Sequence, residues 1–127
     1  MIASTTLLVS DYDVAISWFT KVLKFTVKED KTIDENTRFV LVAPEQVDSS
    51  ALLLMKADSA EKQALVGKQA GSSVFLILHT NHFDSMYLHM KNEGVEFMET
   101  PRVEAYGKVV IFKDCFGNQW DLLEPAA

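Results

Sequence analysis

The stretch "DCFGNQWDLLEP", residues 114–125, reads as a tight turn followed by a short strand. Asn and Gly are the residue types that tolerate a tight reversal. Side chains alternate along a strand, so Asp121 shares a side with Gln119 and Leu123, and Trp120 takes the other side and packs under a helix. A carboxylate in the middle of a strand is a metal ligand, a general base, a ligand anchor or an ordinary hydrogen-bonded group. The rest of the chain decides among these.

Working outward, the chain repeats itself. Residues 5–9 form a β-branched and apolar run, read as a strand. Ser10 or Asp11 caps a helix with Asp13 in its first turn. Ala15, Trp18, Phe19, Val22 and Leu23 recur at helical spacing and make its buried face. Strands are expected at 25–29, 38–42 and 51–55, a short helix over 59–66, and a linker at 67–73. The pattern then restarts. A strand at 74–78 precedes a helix that begins at Asn81 or His82, presents Phe83, Met86, Tyr87 and Met90, and stops at Gly94. Strands follow at 95–98, ended by Pro101, and at 109–112 and 119–123.

Tyr12-Asp13 superimposes on Phe83-Asp84 at an offset of 71 residues (84 − 13). The last strands superimpose at 68 (121 − 53), which sets Leu53 on Asp121. Self-similarity of this length means two copies of one supersecondary unit. The expectation is an α+β fold of two βαβββ modules, about 1–57 and 74–127, joined by a connector at about 58–73 within a single domain, 1–127. Each helix covers one face of its sheet and leaves the other for a ligand or another sheet.

A chain of 127 residues with 48% hydrophobic and 24% charged residues fills one ordinary core. The net charge of −6 argues against nucleic acid and against anionic membrane surfaces. No apolar run approaches the roughly 20 residues of a membrane helix, and the first residues lack the basic start of a signal peptide. A cytoplasmic location is expected. Cys115 is the single cysteine, so no disulfide forms within the chain. No cation or helix start lies near it in sequence, and an inert thiol is expected.

The segments "LLVSDYDVAISWFTKVLKF" (7–25), "GVEF" (94–97) and "YGKVVIFKDCFGNQWDLLEP" (106–125) together resemble the vicinal oxygen chelate superfamily, the glyoxalase, bleomycin-resistance protein and extradiol dioxygenase group. The first is similar to its strand–Asp–helix entry. "DCFGN" is similar to its "DPxGN" hairpin, with Cys115 in place of proline. The resemblance implies paired modules whose mixed sheets curl around a cleft, usually in a homodimer. In metal-using members the ligands come from the first and fourth strands of both modules, positions that fall here at Ser4, Leu53, Phe75 and Asp121. One carboxylate, one hydroxyl and two apolar side chains do not make a divalent-ion site. No metal and no other cofactor is therefore expected.

Alternation puts Ser4, Thr6, Phe75, Ile77, His79, Gln119 and Asp121 toward the cleft, with Leu53 at its repeat position. Phe39, Phe75 and Tyr106 offer aromatic walls. Asp121 and His79 are the candidates for acid–base work, against the plainer readings of a hydrogen-bonded carboxylate and an exposed strand-end histidine. Arg38 and Arg102 pair either with an anionic ligand or with surface carboxylates, the second being the usual outcome. The expected function is metal-free binding of a small hydrophobic or aromatic compound, with a cationic group suited to the acidic face. The alternatives are a glyoxalase-like lyase or isomerase, a dioxygenase-related enzyme, or a non-catalytic structural domain. The expected partners are a small molecule and a second copy of the chain, with neither nucleic acid nor membrane.

Overall fold

Two four-stranded sheets, one in each of the units Met1–Val66 and Gly67–Ala127, carry the fold in a computed structural model that describes residues 1–46 and 48–127. The line between the units falls within the region expected as a connector.

The first unit runs β1 (Ser4–Val9), α1 (Tyr12–Lys21), β2 (Thr26–Thr32), β3 (Arg38–Ala43), β4 (Ala51–Lys56) and α2 (Ala60–Leu65). Its strands lie in the order β1-β4-β3-β2, with β1 parallel to β4 and the other neighbours antiparallel. The α1 helix starts where the Asp11 carboxylate accepts the Val14 N–H at 2.9 Å, which satisfies one of the N–H groups that a helix start leaves unpaired. Ala15, Phe19, Val22 and Leu23 are buried. So are Leu7, Val9, Val40, Val42, Leu52 and Leu54, which share one face of the sheet. Each such large side chain contributes about 1.5–3 kcal/mol on burial. Phe19 stacks on Phe25 with centroids 5.5 Å apart. Trp18, expected on the buried face, is only half-buried and meets Phe19 edge-on at 5.1 Å.

The second unit runs β5 (Val74–His79), α3 (Phe83–Asn92), β6 (Arg102–Glu104), β7 (Gly107–Lys113) and β8 (Gln119–Pro125), with strand order β5-β8-β7-β6. Both long helices have ten residues and lie 71 positions apart (83 − 12), as the repeat requires. His82 occupies the N-cap of α3 without a side-chain cap bond. The Glu124 carboxylate on β8 accepts the Phe83 N–H instead, at 2.9 Å. An aromatic series runs through this core: Phe83 to Tyr87 (5.9 Å), Tyr87 to Phe97 (4.7 Å), Phe97 to Phe112 (6.4 Å) and Phe112 to Trp120 (5.9 Å).

The two units repeat a side-chain cluster as well as an element order. Arg38 lies over the Tyr12 ring at 5.4 Å and pairs with Asp13 at 2.8 Å. Lys108 lies over the Phe83 ring at 5.0 Å and pairs with Asp84 at 2.6 Å. In each unit an aromatic–Asp pair at the helix start is tied to a cation at the start of the strand two elements later.

One expected strand differs. Residues 95–98 make a single bridge, Phe97 to Phe112, with flanking bonds from Met98 N–H to the Ile111 carbonyl and from Lys113 N–H to the Glu96 carbonyl, both 2.9 Å. Pro101 has no N–H to give to a ladder. Pairing along β7 breaks there and resumes at β6, a strand the sequence reading did not foresee. In the gap the Glu99 carboxylate accepts the Ile111 N–H at 3.0 Å.

The β7–β8 hairpin is organised by Asp114, which is 5% exposed. Its Oδ1 accepts the backbone N–H groups of Phe116, Gly117 and Asn118 at 2.9–3.0 Å. Its Oδ2 accepts Asn118 Nδ2 at 2.9 Å and Trp120 Nε1 at 3.0 Å. Gly117 has φ +105, a backbone state that side chains with a Cβ avoid. Gly67, with φ +77, packs so closely on this turn that a Cβ would run into the Phe116 carbonyl.

Replacing Asp114 strands buried donors, each costing about 1–3 kcal/mol when unsatisfied. Asp114→Ala is therefore expected to lose at least about 3 kcal/mol of stability. A fall in the urea midpoint with an unchanged m-value checks this. An unshifted midpoint would remove the hairpin from its central place.

Candidate functional site

Register defines an open face on the second sheet, opposite the one that holds Trp120 and Leu122. Asp121 pairs with Ile77 on β5 and with Ile111 on β7. The neighbouring row holds His79, Leu123, Val109 and Arg102. Asp121 thus sits between two isoleucines, and Ile77 is 58% exposed. Asp121 accepts no hydrogen bond from the described residues of its unit. Burial pushes its carboxyl above the usual carboxylate range; the Arg102 guanidinium pulls it down, and the Glu99 carboxylate pushes it up again. The net shift is upward because partial desolvation acts on a charge without a direct partner.

Arg102 does not neutralise Asp121 directly because it is held elsewhere. Its Nε donates to both Glu99 carboxylate oxygens at 2.8 and 3.0 Å, and its Nη1 donates to Glu104 at 2.8 Å. These bonds, Glu99 first, raise the guanidinium's pKa, and Tyr106 adds a further hydrogen bond. Three carboxylates, Glu99, Glu104 and Asp121, thus share one guanidinium, and the local balance is acidic. Glu99 and Glu104 were not among the expected site residues. The signal that finds them is the run "ETPRVE" (99–104), alternating charges around a strand-breaking proline. Arg38 is likewise engaged by carboxylates, Asp13 and Asp30.

The open face of the first sheet is plainer. Thr6 and Leu41 flank Leu53. Ser4 stands beside Ala51 and Leu8 beside Met55. Phe39 is on the same side by alternation and is 37% exposed. The structure therefore groups Ser4, Thr6, Phe39 and Leu53 on one sheet, and Ile77, His79, Gln119 and Asp121 on the other. Tyr106 is exposed in the β6–β7 turn beside Arg102. Phe75 lies in a bulge between Val74 and Leu76 and has no register partner. Alternation alone does not decide its side, because a bulge sets two residues against one.

The lateral neighbours of Leu53 and Asp121 in the first strands of their units are Thr6 and Ile77. Together with Ser4 and Phe75 they supply hydroxyl and hydrocarbon, not imidazole or carboxylate. Among the described residues no group of three or more His, Cys, Asp or Glu side chains could hold a metal ion. The donor set does not fit a divalent metal of the kind the resemblance implies. No helix among the described residues is long and apolar enough to cross a membrane. Cys115 is exposed as a residue, yet desolvation of its sulfur, and after it the adjacent Asp114 carboxylate, pushes the thiol up to about 12. The direction stands because a neighbouring anion disfavours a thiolate.

The family model described as the Glyoxalase/Bleomycin resistance protein/Dioxygenase superfamily matches residues 1–122. An uncharacterised protein of Shewanella frigidimarina (strain NCIMB 400) is 40% identical over 119 residues, covering 93% of this chain and 88% of that one. Among solved structures, UcmS2 is 26% identical with a TM-score of 0.83, covering 98% of this chain and 97% of its own. TnmS3, an antibiotic binding protein from Streptomyces sp. CB03234, is 23% identical with a TM-score of 0.79, covering 99% and 96%.

A carboxyl raised in the folded state favours folding below its unfolded pKa, and that contribution is lost as pH rises through the folded value. At neutral pH Asp121 is therefore a cost. Asp121→Asn is expected to raise Tm by a few degrees at pH 7, with the gap closing as pH falls through the raised folded value and gone below the unfolded value of about 4. Equal Tm values across that range would deny the desolvated state of Asp121. Alkylation of Cys115 is expected to stay slow at pH 8 and to rise about tenfold per pH unit. A rate that levels off below pH 10 would contradict the raised thiol.

Proposed function

Because the chain belongs to the Glyoxalase/Bleomycin resistance protein/Dioxygenase superfamily, we propose that it binds a small hydrophobic or aromatic compound carrying a cationic group, without a metal and as a homodimer. The observation that carries this reading is Asp121: an under-solvated carboxylate between Ile77 and Ile111, crowded by Glu99, on a sheet face that no helix of its unit covers. A flat apolar cation meets both needs. Its hydrocarbon covers the isoleucines and Leu123, and its charge supplies the partner that Arg102, held by Glu99 and Glu104, does not. Phe39, Phe75 and Tyr106 are the aromatic surfaces this reading offers for stacking. Ser4, Thr6, Leu53, Ile77, His79 and Gln119 complete the proposed contact set. The fold shared with TnmS3, described as an antibiotic binding protein, is consistent with small-molecule binding.

A second reading has one observation in its favour. A carboxyl held above its usual range is also what a general base requires. In that reading Asp121 or His79 abstracts a proton in a lyase or isomerase reaction. Nothing in the donor set adds Lewis-acid help, and the binding reading accounts for the same carboxylate with fewer parts.

Native mass spectrometry of protein purified gently, without chelator, tests the proposal. The expected result is a dimer that keeps a small organic mass and no metal. Stoichiometric metal would overturn the metal-free reading. In a titration with acridine orange, a flat aromatic cation, Asp121→Ala is expected to keep the fold and weaken binding at least about tenfold. Binding unchanged by that substitution removes Asp121 as the anchor. Turnover lost in Asp121→Asn or His79→Ala, with dye binding intact, would move the protein to the second reading.

A further inference from the structure

The parallel strands β1 and β4 both run into helices at their carboxyl ends, and the chain diverges there toward α1 and α2. In open sheets the crevice beyond the carboxyl ends of parallel strands is where ligands lodge, because diverging connections leave space that backbone cannot fill. A cavity of about 660 Å3 opens at this place in the first unit. That volume lies in the range of small-molecule sites, about 300–1,000 Å3. All its lining residues belong to the first unit, whereas Asp121 belongs to the other.

We propose that this cavity is a second ligand site, and that it takes a small organic carboxylate. Tyr12, Met55 and Ala57 give it apolar walls, and Thr37, Lys56 and Lys62 give it polar ones. Which of the charged groups remain available decides the ligand. Lys62 already donates to Asp58 at 2.9 Å. Asp34, also at the cavity, accepts the Asn36 N–H at 2.9 Å. Asp58 is thus paired with a cation, and Asp34 keeps its charge while capping the Asn36 turn. Lys56 forms no ion pair among the described residues. Tyr12 is 8% exposed. Its phenol oxygen accepts the Arg38 N–H at 3.4 Å, and its own O–H has no acceptor among the described residues. A hydroxyl whose hydrogen has no protein acceptor is free to donate to a ligand oxygen.

Of the charged lining groups, Lys56 is the cation without an ion pair among the described residues, and with the Tyr12 hydroxyl hydrogen it complements an anionic oxygen, while the Asn36, Thr37 and Gln63 side chains add neutral polar contacts. The walls select further. An organic acid places its hydrocarbon against Tyr12, Met55 and Ala57, whereas an inorganic anion leaves them wet. Arg38 lies over the Tyr12 ring, at 5.4 Å, and is itself fixed by Asp13 and Asp30. The tyrosine is therefore positioned before any ligand arrives.

A backbone amide NMR titration of the whole chain tests this, with benzoate as probe, benzamide as its uncharged counterpart and inorganic phosphate as the competing anion. Benzoate is expected to shift amides within 34–37 and 55–63 saturably, and benzamide to bind at least about tenfold more weakly. Lys56→Met is expected to weaken benzoate about tenfold and Tyr12→Phe, which keeps the ring, about fivefold. Shifts absent from those amides, equal binding of benzamide, tighter binding of phosphate, or benzoate binding untouched by both substitutions would each overturn the proposal. Because neither substitution touches the second unit, acridine orange binding at Asp121 stands or falls separately.

Discussion

One buried carboxylate sets the geometry on which the second unit depends. Asp114 draws three backbone N–H groups, an amide and the Trp120 indole onto its two oxygens. The indole bond is the decisive one, because it fixes the parity of β8. A slip of one residue would exchange Trp120 for Asp121, burying a carboxylate and exposing an indole. The hairpin that closes the sheet is thus the same device that aims Asp121 at the open face. Gly67 extends the dependence to the start of the unit, since only a residue without a Cβ packs against the Phe116 carbonyl.

The two halves solve the same problem with different chemistry. Each ties its long helix to its sheet with a cation laid over an aromatic ring and paired to the next aspartate, Arg38 in one and Lys108 in the other. Exposed ion pairs of this kind are individually weak. Their value here is orientational: they fix where each helix begins. The halves diverge at the open faces. The position of Leu53 in the first becomes Asp121 in the second, and a regular β1 is answered by a bulged β5. Duplication accounts for the shared scaffold, and the chemistry sits where the copies differ.

Much of this was readable from the chain. The helices declared themselves through Ala15, Phe19, Val22 and Leu23 and through Phe83 and Met90, because a 3.6-residue period is written locally. The side on which Asp121 lies followed from alternation with Trp120. What could not be read depends on partners distant in sequence. The β6 strand has only Arg102, Val103 and Glu104, and it exists because β7 is beside it. The bulge at Phe75 is a relation between β5 and β8, invisible in either alone. Glu99 reaches the row of Asp121 only across β7. Tyr12 enters the sequence reading only through the repeat, beside Asp13, and the bond its hydroxyl accepts from the Arg38 N–H becomes apparent only when β3 is in place.

Glu99 has a consequence beyond the electrostatics of Asp121. It takes the Ile111 N–H at the point where Pro101 interrupts pairing along the outer side of β7. A free N–H there would be a template for a strand from another chain, the route by which exposed edges lead to aggregation. One side chain therefore shields a sheet margin and shapes a binding face. Selection on ligand charge at this face is then not free: an exchange of Glu99 that eases Asp121 must keep an acceptor oxygen, as glutamine does, or it unseals the margin. Sequence drift toward new ligands should run through Gln119, Ile77 and Leu123 before it touches Glu99.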